Sequence, residues 1–240
     1  MTIALLLSGG IGTRIHADKP KQYITVNGQM LITYSLLTIL GHEGIDAVQI
    51  IASSEWHSNI TNDLPQQEKL KDKMRGFSQP GENRQQSILN GLTDILRYAK
   101  PDDLVFIHDA ARPLLSVNMI SDCLHAIGGY DGVMPVLPMK DTVYLSENGN
   151  EISKLCDRKC IFAGQAPELF RLGRYYEANL LLLPNRIKLI NGSGEPAVLA
   201  GMKIAMIPGD ERNFKVTTAV DLERFHEMTA GKRFERTQCT

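Results

Sequence analysis

LLLSGGIGTRIHADKPKQY, residues Leu5 to Tyr23, joins an apolar run to a turn with very little side chain. Arg14, Lys19 and Lys21 follow within a dozen residues of it. With Thr2 to Ala4 added, the apolar part reads as a strand apolar on both faces, the pattern of a buried parallel strand. Gly9, Gly10 and Gly12 permit unusual torsions and close backbone approach. Successive N–H groups in such a turn form a concavity for anions. Arg14 and Lys21 add full positive charges, and Pro20 stiffens the chain just before Lys21. Alone, the segment fits a phosphate cradle and a structural turn equally well. Neither common phosphate motif is present. Counting from Gly10 and Gly12, the G-x-G-x-x-G fingerprint of dinucleotide binding would need glycine where Ile15 stands. A Walker A loop would need Gly-Lys-Ser/Thr, which does not follow. A dehydrogenase reading is thereby disfavoured.

Working outward, short apolar runs alternate with amphipathic ones. Residues 31–40, 83–99, 117–127 and 218–231 have helical character, with Thr217 or Thr218 able to cap the last. Residues 46–53, 103–109, 131–138 and 202–209 read as strands. Residues 167–183 read as a return to helix. Alternation of this kind predicts an α/β fold, a three-layer sandwich around a mostly parallel, Rossmann-like sheet. Ligands of such sheets sit at the carboxyl ends of the strands. The glycine loop, Asp109 to Pro113, and the region after Pro138 all fall at such ends. Residues 139–163 break the alternation and read as a protruding β-arm turning at ENGN, inserted in a single domain of 1–240.

Composition narrows the function classes. Of 240 residues, 43% are hydrophobic and 22% charged, enough for a sizeable core. A net charge of −1 argues against bulk electrostatic capture of nucleic acid. No apolar run approaches the roughly 20 residues that span a bilayer, and no signal peptide is evident, so no membrane partner and a cytoplasmic location are expected. Cys156 and Cys160 lie close together, but no second pair or neighbouring histidine completes a zinc set.

Six further blocks make the pattern specific: GENRQQSILNGL (81–92), FIHDAARPLL (106–115), KDTV (140–143), CDR (156–158), QAPELF (165–170) and NFKVTTAVDL (213–222). With SGGIGTRIHADKPKQY they resemble, in order, the cytidylyltransferases that act on methylerythritol phosphate or ribitol phosphate. The resemblance implies a nucleotidyltransferase moving CMP from CTP to a polyol phosphate, with release of pyrophosphate. It implies Arg14, Lys21 and Lys215 as catalytic cations. Leu7, Ser8, Gly9, Gly10, Gly12, Gly81, Glu82 and Ser87 would meet the nucleotide, Glu82 standing where the family often has aspartate. Asp109, Arg112, Thr142 and Arg158 would meet the acceptor, Arg158 often across a homodimer formed through the arm. A carboxylate ending a strand beside a triphosphate is well placed for Mg²⁺, which makes Asp109 the candidate metal ligand. His108 reads as a packed strand residue, and Asn83 could simply cap a helix.

Two stretches depart from the methylerythritol pattern. Gln165-Ala166-Pro167-Glu168 replaces Gln-Thr-Pro-Gln, and NGSGEPAVLAG (191–201) replaces a Thr-Asp-Asp/Glu run, leaving Asn191 and Ser193 as polar groups. Methylerythritol 4-phosphate is the leading acceptor and ribitol 5-phosphate the alternative. A nucleotidyltransferase for another nucleotide or a sugar phosphate, and a non-catalytic nucleotide-binding module, are further readings.

Overall fold

The computed structural model describes residues 1–10 and 18–230. In chain order its strands are β1 (Thr2–Leu7), β2 (Thr25–Val26), β3 (Gln29–Met30), β4 (Ala47–Ile51), β5 (Met74–Ser78), β6 (Leu104–Asp109), β7 (Gly132–Pro138), β8 (Val143–Leu145), β9 (Lys154–Cys156), β10 (Phe162–Gly164), β11 (Glu168–Arg171) and β12 (Ile204–Pro208). The helices are α1 (Leu31–Gly41), α2 (His57–Asp63), α3 (Glu68–Lys73), α4 (Arg84–Ile95), α5 (Val117–Ala126), α6 (Leu172–Leu180), α7 (Glu195–Leu199) and α8 (Ala219–Thr229).

Eight strands form one sheet in the order β10-β7-β11-β6-β1-β4-β5, with β12 also paired to β7. β1 lies parallel between β4 and β6, and β5 continues the parallel run at the edge. β12 is parallel to β7, whereas β10 and β11 are antiparallel to their neighbours. The sheet is therefore mixed and mostly parallel, flanked by helices on both faces, as the alternation predicts.

The side chains of β1 explain the layering. Ala4 and Leu6 join one core cluster with α1 and α5, while Ile3 and Leu5 join another with α4 and α6. Burial on both faces is why this strand is apolar without alternation. A smaller cluster packs α8 through Phe225 onto Tyr34, Leu31 and Val216. Thr218 caps α8 in a reciprocal box with Asp221, settling which threonine does so.

Residues 167–183 differ from the reading as helix. Glu168–Arg171 is strand β11, and the helix begins only at Leu172. Leu169 and Phe170 are fully buried between β6 and β7. A short apolar run seated between two strands cannot be told from a buried helical turn by periodicity. Sequence reading also missed β5, an edge strand interrupted by Gly76 at φ 118° and by a register shift against β4. In the arm, β8 and β9 pair as a hairpin, Val143 opposite Cys156 and Leu145 opposite Lys154. Ile152, Leu155 and Tyr144 on it are exposed.

Candidate active site

The parallel strands end together. Ser8 N–H donates to Ile51 O and Ala110 N–H to Leu7 O, so the loops after β1, β4 and β6 leave the sheet side by side. A cavity of about 380 Å³ opens there. Leu7, Gly9, Gly10, Lys21, Gly81, Glu82, Ser87, Asp109 and Lys215 line it, and all nine belong to the set the sequence singled out. Gly12 and Arg14 lie outside the described residues. Ser8 does not line the cavity; its hydroxyl donates to Tyr23 Oη at 2.8 Å.

Lys-Gln-Tyr, the end of the opening stretch, forms a short 3₁₀ turn over Lys21–Tyr23. Gln22 Nε2 donates to Ser8 O at 2.7 Å and to Gly10 O at 2.6 Å. Tyr23 Oη donates to Ser8 O at 2.9 Å, and its ring stacks on Trp56 with centroids 4.1 Å apart. The glutamine and tyrosine thus tie the carbonyls of the loop's first half inward, and their turn carries Lys21 to the cavity wall. A Cβ at Gly9 would stand 2.8 Å from Pro80 Cβ, which fixes glycine there.

Opposite, Asn83 caps α4 by accepting from Gln86 N–H at 2.9 Å. Ser87 Oγ accepts from Gly81 N–H at 2.9 Å and donates to Asn83 O at 2.8 Å, so it braces the loop before the helix. Glu82 is exposed at the rim and pairs with Lys188 at 3.3 Å. The helix start sits at the positive end of the α4 dipole, where anions are favoured.

Asp109 ends β6 and is buried. Its Oδ1 accepts from Arg84 Nη2 at 2.9 Å, its Oδ2 from Lys215 Nζ at 2.9 Å. Arg112 Nε stands 3.9 Å from Oδ2. Burial alone would push the Asp109 carboxyl upward, but the charges of Arg84 and Lys215 outweigh it and hold it well below the usual carboxylate range. His108, behind it, is fully buried; burial pushes its imidazole down to about 4, so it is neutral and packed. Its Nε2–H donates to Arg112 O at 2.9 Å.

Arg84 is the residue the sequence reading missed. A cation in the first turn of a helix opposes the macrodipole, which is a signal that something else holds it. Glu168 is a second buried carboxylate near this cluster, hydrogen-bonded to Ser193 and pushed upward chiefly by burial. Thr142 and Arg158 lie elsewhere: they line a separate cavity on the arm with Cys156 and Asp157. Arg158 Nη1 there donates to Lys140 O at 2.6 Å.

As to a divalent cation, no group of three or more His, Cys, Asp or Glu side chains is arranged for one among the described residues. Asp109 alone still fits the usual Mg²⁺ arrangement of one or two carboxylates completed by substrate phosphates and water. Chemically, the cavity offers two backbone loops, lysines on two sides, and the buried, ionised carboxylate of Asp109.

The family model of 2-C-methyl-D-erythritol 4-phosphate cytidylyltransferase matches residues 2–228. The enzyme of that name from Chromobacterium violaceum is 31% identical over 233 residues, 96% of this chain and 98% of its own. The ribitol-5-phosphate cytidylyltransferase of Streptococcus agalactiae serotype Ia is 28% identical over 242 residues, 98% of each chain. Among solved structures, the 2-C-methyl-D-erythritol 4-phosphate cytidylyltransferase of Francisella tularensis superimposes with a TM-score of 0.77 at 26% identity, over 94% of this chain and 98% of its own. By these matches the chain belongs to the 2-C-methyl-D-erythritol 4-phosphate cytidylyltransferase family, and it is a CTP-dependent cytidylyltransferase.

Proposed function

We propose that this enzyme transfers CMP from CTP to 2-C-methyl-D-erythritol 4-phosphate, a step of isoprenoid precursor synthesis. An oxygen of the acceptor phosphate attacks the α-phosphorus of CTP. The bond from that phosphorus to the bridging oxygen breaks, and pyrophosphate leaves. The observation that carries the reading is the cavity that joins the glycine loop, Lys21, the α4 start and the Lys215–Asp109 pair.

The chain's own groups divide the work. Backbone N–H groups of Gly9 and Gly10 face the nucleotide, with Leu7, Gly81, Ser87 and Glu82 beside them and Ser8 holding the loop. Lys21 and Arg14 balance the charge developing at the α-phosphate, and Lys215 adds a third cation. Such transfers are mostly positioning and charge neutralisation. Asp109, with Arg112, orients the acceptor. Asp109 would also hold Mg²⁺, which when bound neutralises phosphate charge. Thr142 and Arg158 meet the acceptor phosphate from the arm, bidentate recognition being the natural use of an arginine. Their place outside the main cavity supports a homodimer in which a partner's arm completes each site. The exposed apolar residues Ile152, Leu155 and Tyr144 suit that contact. Sedimentation should give twice the mass of the 26.7 kDa chain, and a monomer with full activity would exclude the shared site. The whole chain works as one domain with its arm at about 139–163, in the cytoplasm, without nucleic acid or membrane. No helix among the described residues is long and apolar enough to cross a membrane.

A second acceptor has specific support. The ribitol-5-phosphate enzyme matches as much of the chain as the methylerythritol relatives do, and Ala166 has lost a hydroxyl at a substrate-side block. Pyrophosphate release with CTP and Mg²⁺ should be measured in parallel on the two acceptors. A higher kcat/KM for methylerythritol 4-phosphate is expected. Preference for ribitol 5-phosphate would move the enzyme to cell-envelope polymer synthesis. Turnover with neither would remove both acceptors.

A further inference from the structure

Lys215 reaches Asp109 from a segment with no regular secondary structure, residues 209–217. A lysine on such a strap could sample many positions, yet this one is anchored along its length. At one end Gly209 N–H donates to Val136 O at 2.8 Å; at the other Val216 N–H donates to Ala111 O at 2.8 Å. Between them, two side-chain amides grip it. Gln165 Nε2 donates to Asp210 O at 2.9 Å while its Oε1 accepts from Asp210 N–H at 3.1 Å, so the amide pairs with the backbone as a strand would. Asn213 Nδ2 donates to Ala166 O at 2.7 Å, and Asn213 O accepts from Arg112 Nη1 at 2.7 Å.

Both amides are buried, Asn213 completely. Neither lines the main cavity. Asn213, two residues from Lys215, ties the strap to Ala166 O, and Gln165 holds the strap backbone at Asp210; together they fix where that lysine stands. They also reach the arm, because Gln165 directly follows β10, its return strand. Arg112 is fixed by the same contact. Its Nη1 is spent on Asn213 O, and its Nε, buried and without a hydrogen-bond partner among the described residues, lies on the Asp109 side.

We infer that Asn213 and Gln165 are positioning residues for the transfer: they clamp the strap to the base of the arm and set Lys215 and Arg112 around Asp109. This rests on the reading that Lys215 acts in the reaction. Small displacements of such groups cost up to about 100-fold in rate.

The test is a double-mutant cycle on the full-length enzyme, measuring pyrophosphate release with methylerythritol 4-phosphate and with ribitol 5-phosphate, and CTP affinity by calorimetry. Asn213→Ala should lower kcat by about 10- to 100-fold, with CTP affinity within about twofold and the folded fraction unchanged. In a Lys215→Ala background the same substitution should cost at least about threefold less than in the wild type, the remaining loss being the share carried through Arg112, because coupled groups fail to add. Gln165→Met, which keeps the volume and removes both bonds to Asp210, should act in the same direction, and it decides the matter if Asn213→Ala does not fold. Equal losses in both backgrounds, wild-type kcat in the folded variants, or a fall in rate matched by a fall in folded protein would overturn the clamp. Wild-type turnover by Lys215→Ala alone would instead overturn the role of Lys215 beneath it.

Discussion

At the residue scale the site is organised by one buried carboxylate. Asp109 would be costly to bury charged and alone, and it is compensated by Arg84 and Lys215 on its two oxygens. Arg84 places both Nε, at 3.3 Å, and Nη2 on Oδ1, a grip that a lysine cannot reproduce. Arg84→Ala should therefore lose about 2 kcal/mol of stability, the scale for a hydrogen bond to a buried charged group. Lys215 still covers the other oxygen, so the protein should remain folded. Arg84→Lys should recover only part of the loss. Urea titration of the three proteins measures this, and equal midpoints would show that Arg84 contributes nothing to holding Asp109.

At the element scale the start of α4 is where fold and ligand requirements meet. Gly81 lies so close to the helix that a Cβ would sit 2.8 Å from the backbone carbon of Gln86. Gly81→Ala should then push the loop away from the helix and raise KM for CTP. Asn83→Ala removes the helix cap at the cavity wall and should cost about 1 kcal/mol, or about 2–4 °C in Tm for a chain of this size. Calorimetry and initial rates on both variants separate the two effects. A KM for CTP unchanged in Gly81→Ala would show that the loop's close packing is irrelevant to the nucleotide. The cap was foreseeable from Asn83 before a helical pattern, but its neighbour Arg84 was not. Nothing local tells a helix-start arginine that its partner is the last residue of a strand 25 positions on.

At the scale of the whole molecule, acid stability should carry the mark of His108. Its imidazole has an ordinary value of 6.5, and burial in the fold pushes it down to about 4. Between those values the unfolded chain takes a proton that the native state refuses. Stability is thus fully present above pH 6.5 and falls as the pH drops toward 4, by about 3 kcal/mol from this group alone. Asp109 acts below that window, since its carboxyl is depressed and its contribution is lost only in stronger acid. Urea unfolding at pH 7.0 and 4.5 should show a smaller difference for His108→Leu than for the wild type. The same pH dependence in both would mean that His108 is protonated in the native state.

Residue types and their spacing determined the layered α/β architecture, because a strand buried on both faces and a helix buried on one leave distinct periodicities. They also named most of the cavity: glycines where backbone must come close, lysines where charge gathers, an aspartate ending a strand. The tertiary structure decided what periodicity cannot carry. It made Glu168–Arg171 a strand, since lying between β6 and β7 fixes its conformation from outside. It turned the Ser8 hydroxyl to Tyr23, and it set Arg84 and Lys215 on the two oxygens of one carboxylate, Lys215 from 106 residues away. Hydrogen bonds and ion pairs depend on distances closed by the chain's path, and those distances exist only once the sheet has brought the strand ends together.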